Sequence, residues 1–369
     1  VKRRACVLGA LGLGGAALLR GALACGPTEI SDQRRELLTS YGEAFLLADY
    51  AEFEELCVEL AAKTRALAEE PSETTLEEAR DAWLAARAPW KRTEVFAFGP
   101  YSEEPQRFGP KIDFWPARPE TVEETLAGED ELGADSADRL GAPAKGLHAL
   151  EFLLFEPDTD VVAAFEDDAR RGEYAVTIAD DLIVQAHALW EAWDPDHGNF
   201  LGELTGAGRS STRYDTLNRA LGEVVNRMGY TLENMSAEKL KKPLGDSAGG
   251  VPQPDQVESP FSGRSLEDLR DNLRGIELLY FGSEERGLLS LDAYLLARGR
   301  HLTESFRARL AAAEAALDAI PEPLEVAIES DPGSVRELMA RLGELRRLIQ
   351  VDVINALSLS VGFNDNDGD

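Results

Sequence analysis

Apolar residues recur at helical spacing along most of the chain, and the predicted elements follow from that rhythm. Over 31–69 they fall at Leu37, Tyr41, Phe45, Phe53, Leu56, Leu60 and Leu67, one face of a 3.6-residue period. Pro71 ends the run, and Thr74 with Glu77 has the spacing of a capping box for the next helix. Residues 168–193 repeat the pattern with Tyr174, Ile178, Leu182, Leu189 and Trp193. Further helices are expected near 212–235, 265–281, 288–318 and 333–358. No stretch sustains a period-two alternation, so the expected class is all-α, with no sheet of consequence. Long segments rich in Gly, Pro and acidic residues separate the helices at 99–142, 194–211 and 243–263. Connections of that length are uncommon inside a compact domain and often carry function.

The chain also resembles itself. TLEEARDAW (75–83) aligns with SLEDLRDNL (265–273), pairing Leu76 with Leu266, Glu77 with Glu267, Arg80 with Arg270 and Asp81 with Asp271. Each copy runs on to an aromatic-glycine ending, VFAFG (95–99) and LLYFG (278–282). An internal duplication is expected from this, giving two related helical-bundle domains over 27–205 and 206–363. A pocket is expected at their junction, a common place for a ligand. The acidic end, 364–369, reads as a disordered tail.

The first 25 residues break the pattern. Lys2, Arg3 and Arg4 precede a run of small and apolar residues with no acid, the layout of an export signal. The run closes on Ala-Leu-Ala-Cys, like a bacterial lipobox, so Cys25 is the candidate lipidation site. An exported protein of the periplasm or outer membrane is expected, touching the membrane only through that lipid. Cys6 falls within the leader, and Cys57 sits in the apolar pattern FEELCVEL as a small buried group. There is no disulfide framework and no cysteine metal site.

Charge narrows the partners. The chain carries 38 basic and 68 acidic residues, a net charge of −30. Such a surface repels nucleic acid and attracts cations, so a nucleic-acid partner is excluded and a metal ion is not.

The candidate chemistry centres on KGLHALEFLLF (145–155). His148 and Glu151 lie three apart in an apolar run, and on a helix they share one face. A nitrogen and a carboxylate oxygen presented together can bind a divalent metal, Fe or Zn among others. The same pair can equally hydrogen-bond each other, or a nearby Arg, and simply hold the bundle. Two ligands do not make a stable site, and Glu94 and Asp113 are the candidates to complete it. Arg87 is the expected counter-ion of Glu94 or Glu151. Trp83 and Arg87, with Ser262, Asp268 and Asn272 of the downstream segment, are candidate pocket residues. Ser262 or Ser265 is expected to cap the helix that begins near 266. His187 reads as a structural group, and His197 as a solvated loop residue. HExxH, its inverted form and G-x-S-x-G are all absent, which argues against a standard hydrolase.

Three motifs in order carry a resemblance. G-L-H-A-L-E (146–151) matches a G-x-H-x-x-E motif. Upstream lie ARDAWLAARAPWKRTEVFAFGP (79–100) and GPKIDFWP (109–116). Downstream lies ESPFSGRSLEDLRDNLRGIELLYFG (258–282). Together they resemble the imelysin-like family of exported bacterial proteins, also named as insulin-cleaving peptidases. The resemblance implies two helical bundles with a pocket between them, an envelope location and a part in iron acquisition. It implies a metal ion or an iron-linked ligand as partner. Binding is the expected activity; a metallopeptidase using His148 and Glu151, or a structural envelope lipoprotein, are the alternatives.

Overall fold

The computed structural model describes residues 27–133, 136–246, 248–321 and 323–360; the leader, Cys25 and the tail at 364–369 lie outside them. Its helices are α1 (Pro27–Ser40), α2 (Ala48–Glu69), α3 (Glu73–Arg92), α4 (Phe108–Ile112), α5 (Pro119–Ala127), α6 (Gly146–Phe155), α7 (Val161–Asp167) and α8 (Ala169–Trp193). They continue with α9 (Phe200–Thr205), α10 (Leu217–Asn234), α11 (Ser265–Phe281), α12 (Leu291–Leu296), α13 (Thr303–Asp318), α14 (Leu324–Ser330), α15 (Pro332–Arg347) and α16 (Ile354–Leu357). Among the described residues the only β pairing is an isolated bridge between Ser283 and Leu288. The chain is therefore all-α. No described helix is long and apolar enough to cross a membrane.

Wider helical turns at Tyr41–Leu47, Met235–Lys241 and Leu348–Val353 join α1 to α2, extend α10, and join α15 to α16. Two local expectations change. The cap of α3 is Ser72, not Thr74: Ser72 Oγ accepts from the Thr75 N–H at 3.2 Å and Thr75 Oγ1 accepts from the Ser72 N–H at 3.0 Å. Glu77 takes no part, because the helix begins at Glu73, a full turn before it. The expected helix over 288–318 is broken between α12 and α13, where Gly299 takes a φ of 71°.

α2 packs between α3 and α8, with Phe53, Cys57, Leu60 and Leu67 buried on its inner face. α6 lies against α3 and α8, and every residue from Gly146 to Leu154 is buried, which explains its uninterrupted apolar run. In the second half, α10 and α13 pack on α15. The two sequence-matched segments open α3 and α11, and these helices pack against each other. The apolar core runs without a break from Leu37 to Leu357, across residue 205. Arg34 of α1 donates to Tyr294 Oη at 2.8 Å and to the Leu357 carbonyl at 2.7 Å, fastening the first helix to the last.

One glycine sets how α4 meets α6. Gly146 opens α6 at φ 76°, and a Cβ there would lie 2.4 Å from the Ile112 carbonyl oxygen. This close approach brings the residue after α4, Asp113, up to the first turn of α6. Gly146→Ala is expected to cost about 3 kcal/mol, since it adds backbone strain to a clash with main chain that cannot rotate away. Urea unfolding reads the loss directly; a change within about 0.5 kcal/mol would contradict it.

Candidate functional site

The last turns of α3 point two long cationic side chains and an indole into the seam with α11. Arg87 and Lys91 are one turn apart on the same face, with Trp90 beside them, and all three are buried. Arg87 is held over the Trp83 ring at 5.4 Å, while Trp83 Nε1 donates to the Leu147 carbonyl at 2.9 Å. A buried guanidinium demands acceptors on every edge. Arg87 donates to Asp113 at 2.6 Å and to Asp268 of α11 at 2.7 Å. The expectation that Arg87 balances Glu94 or Glu151 is therefore corrected. Glu94 is instead balanced by lysines that the sequence did not single out.

Lys91 is the centre of the arrangement. Its Nζ is 2.6 Å from Glu94 Oε1, 2.6 Å from Asp113 Oδ2, and bonded to Glu258 Oε1. Lys239, on the turn that extends α10, holds the far oxygens: Glu94 Oε2 at 2.7 Å and Glu258 Oε2 at 2.9 Å. Asn272 of α11 accepts from Lys239 at 2.8 Å and donates to Glu94 Oε2 at 2.8 Å. Trp90 Nε1 donates to Asp113 Oδ2 at 2.7 Å.

Electrostatics decide the charge states. Burial alone would push Glu94 up, but Lys239 and Lys91 outweigh it and bring it down to about 2. Asp113 goes the same way against its own burial, held well below the usual carboxylate range by Arg87 and Lys91. Asp268 is lowered too, again against burial, by Arg87 and Arg264. The burial of Lys91 opposes its charge, yet Asp113, Glu258 and Glu94 hold its ammonium well above the ordinary lysine value. These groups form an ionised cluster rather than a set of neutral acids.

The motif pair lies one layer behind. His148 Nδ1 is 3.0 Å from Glu151 Oε2. His148 Nε2 is 3.1 Å from Asp113 Oδ1 but off the hydrogen-bond direction, so this buried nitrogen has no hydrogen-bond partner. The other oxygen of Glu151 accepts from the N–H groups of Phe261 and Ser262, at 3.2 and 2.9 Å, and from Ser262 Oγ at 2.7 Å. Ser262 thus holds Glu151 rather than capping α11. Ser265 Oγ likewise accepts from the Ser259 N–H at 3.0 Å, and α11 begins without a side-chain cap.

A cavity of about 360 Å³ opens onto this cluster. Lys91, Glu94, Asp113, Lys239 and Glu258 line its inner end; Tyr101, Phe114, Trp115, Arg107 and Arg227 line the rest. Of the sequence candidates, Glu94 and Asp113 reach the cavity. His148, Glu151, Trp83, Arg87, Ser262, Asp268 and Asn272 stand behind it as its support. Glu94, Asp113 and Glu258 each present an oxygen within 4.8 Å of the others, the spacing a metal ion needs. Lys91 Nζ touches all three, so an ammonium holds the place of a cation. The donor set therefore fits a metal by charge and oxygen chemistry, provided that Lys91 moves aside.

Sequence reasoning missed Lys91, Lys239 and Glu258. Glu258 opens the ESPFS stretch and Lys91 precedes Glu94 by three, so both lie inside the motifs that carry the family resemblance. Lys239 is one of three lysines in EKLKK and gave no signal.

An imelysin family model, peptidase family M75, matches residues 46–349. The chain is 31% identical over 338 residues to Iron-regulated protein A of Synechococcus elongatus, covering 90% of this chain and 88% of that one. A crystal structure of an iron-regulated protein A precursor from Parabacteroides distasonis superposes with a TM-score of 0.74 at 19% identity, over 89% of this chain and 94% of that one. An imelysin-like protein from Psychrobacter arcticum does so with a TM-score of 0.71 at 19% identity, over 90% and 98%. At that identity the two structures speak for the shared helical-bundle fold.

Proposed function

This chain belongs to the imelysin family, and we propose that it is an envelope protein that binds a metal ion or an iron-linked ligand in the cavity beside Lys91. The observation that carries the reading is the convergence of Glu94, Asp113 and Glu258 on one ammonium at the inner end of that cavity. The basic, acid-free leader ending at Cys25 supports export and a lipid anchor, and the name of the cyanobacterial relative supports a link to iron.

Binding is an exchange in this reading. Lys91 holds the three carboxylates in place while no ligand is present. A bound cation would supply positive charge to the same three oxygens. Lys239 and Asn272 hold Glu94 and Glu258 in orientation while Lys91 swings away. His148 and Glu151 act through Asp113: the pair, anchored by Ser262 and the Phe261 N–H, fixes the imidazole that backs its Oδ1. Tyr101, Phe114 and Trp115 wall the cavity beside the cluster, and low-dielectric walls strengthen the charge–charge contacts next to them.

The same contacts favour binding over hydrolysis. A hydrolase needs a carboxylate or imidazole free to take a proton from water. Glu94, Asp113 and Glu258 each hold an ammonium, both oxygens of Glu151 are engaged, and the one unpartnered imidazole nitrogen, His148 Nε2, faces Asp113 from behind and does not line the cavity. A purely structural role leaves the cavity itself without a purpose.

The test is equilibrium dialysis of the untagged protein against Fe²⁺, Mn²⁺, Zn²⁺ and Cu²⁺, beside Glu258→Gln and Glu94→Gln. Each variant is expected to weaken one bound equivalent by at least about 10-fold, since it removes a charged oxygen donor. Binding that is equal in the parent and both variants would overturn the cavity as a cation site.

A further inference from the structure

The outer face of α8 carries a second cluster, none of whose residues lines the cavity. His187 and Glu191 are one turn apart near the end of the helix. The chain then turns back on itself: the Gly198 N–H donates to the Glu191 carbonyl at 2.9 Å and the Asn199 N–H to the Asp194 carbonyl at 2.8 Å. The turn passes so close to α8 that a Cβ on Gly198 would lie 2.7 Å from Ala192 Cα. It lays His197 over the last turn of the helix. Two of the four histidines in the chain are thereby brought to one carboxylate.

Their orientation is specific. His187 directs Nδ1 to Glu54 Oε1 of α2, at 2.9 Å, and Nε2 to Glu191 Oε1, at 3.5 Å. His197 directs Nδ1 to Asp194 Oδ1, at 2.8 Å, and Nε2 to the same oxygen of Glu191, at 3.9 Å. Trp190 lies beside both rings, with centroids 6.3 and 5.8 Å away. An imidazole that gives Nδ1–H to a carboxylate presents the Nε2 lone pair outward, the arrangement of metal-bound histidines. Here it occurs twice, and both free nitrogens face one carboxylate oxygen.

We propose that His187, Glu191 and His197 form a surface site for a divalent cation of borderline softness, Zn²⁺, Ni²⁺ or Cu²⁺. Glu54 and Asp194 act as the carboxylates that orient the two rings. Two imidazoles and a carboxylate suit these ions and disfavour Mg²⁺ and Ca²⁺. Bonds of about 2.0–2.1 Å from one ion place neighbouring ligand atoms roughly 3.0–3.5 Å apart; His187 Nε2 is 3.5 Å from Glu191 Oε1, and His197 Nε2, at 3.9 Å, must draw closer. Among the described residues the trio already drawn within 4.8 Å is the one in the cavity, so this surface trio closes by side-chain rotation. The three side chains are 50%, 43% and 49% exposed and free to make it. The other charged groups recorded against the two rings, Glu54, Asp194 and Asp196, are all acidic. Water or an outside donor fills the remaining positions.

The experiment is a Ni²⁺ titration of the full, untagged chain, followed by equilibrium dialysis and by tryptophan emission. One equivalent is expected to quench the emission of Trp190. His187→Ala and His197→Ala are each expected to weaken it by about 100-fold or more, and Asp194→Asn by about 10-fold, as for loss of an orienting carboxylate. Trp190→Phe should remove the quench and keep the bound equivalent. None of these residues lines the cavity, so Glu258→Gln should leave this equivalent intact, and either site can fail without the other. Affinity unchanged in both histidine variants, or no saturable Ni²⁺ binding in the parent, would overturn the proposal.

Discussion

Replacing Arg87 by methionine is expected to lower the stability of the fold by about 3–5 kcal/mol, the range for removing one partner of a buried ionic group. The loss comes less from the missing contacts than from what they leave behind. Asp113 and Asp268 are both buried, each with a strong contact to Arg87, at 2.6 and 2.7 Å. Methionine fills the volume but offers neither charge nor donor. Lys91 still reaches Asp113 and Arg264 still reaches Asp268, so each carboxylate keeps one cation rather than two. Pairing Arg87→Met with Asp268→Asn should recover part of the loss, because the second change removes the negative charge that Arg87 no longer balances. Urea unfolding of the two single variants and the double measures this coupling; strict additivity would show that the two residues do not act as a unit.

Acid is expected to have a comparable effect. Glu94 falls from 4.5 to about 2 on folding, because Lys239 and Lys91 outweigh its burial, and Asp113 and Asp268 are lowered likewise. A carboxyl with a depressed folded pKa binds fewer protons folded than unfolded. Its contribution is complete above the unfolded value and is lost as pH falls through the folded one. For Glu94 the window runs from about 4.5 down to about 2, and the contribution is on the order of 3 kcal/mol. Lys91 has the opposite sign: its pKa is raised, so its contribution is complete below 10.5 and fades only as pH climbs through the folded value. The contribution of these groups should therefore be constant from about pH 5 to 10, and urea midpoints should fall steeply below about 4.5. Glu94→Gln should flatten the acid limb, and an acid limb identical to that of the parent would remove Glu94 as its cause.

The period of the apolar residues carried the fold because nearly every helix buries one stripe. Residues 168–193 and 333–358 were bounded almost to the residue, as α8 and α15–α16. Boundaries failed where a single local bond decides them, as at Ser72, or where one glycine turns the chain, as at Gly299. In the candidate site, Glu94, Asp113, His148 and Glu151 were legible because polar groups stood out in apolar or aromatic surroundings. Their partners were not. Arg87 meets Asp268 across 181 positions and Lys239 meets Glu94 across 145, and no local spacing encodes such pairings. Lys91 was hidden for another reason: a lysine near a helix end normally reads as a solvated charge, and only the tertiary structure buries it.

The most direct measurement is the thermal stability of Lys91→Met with and without divalent metal. Methionine removes the ammonium and leaves Glu94, Asp113 and Glu258 facing one another. Without metal the variant should be less stable than the parent. A metal at 100 times its Kd should restore about 2.7 kcal/mol to the variant, and far less to the parent, in which Lys91 competes for the same oxygens. Equal metal-dependent shifts in variant and parent would contradict the three carboxylates as a cation site.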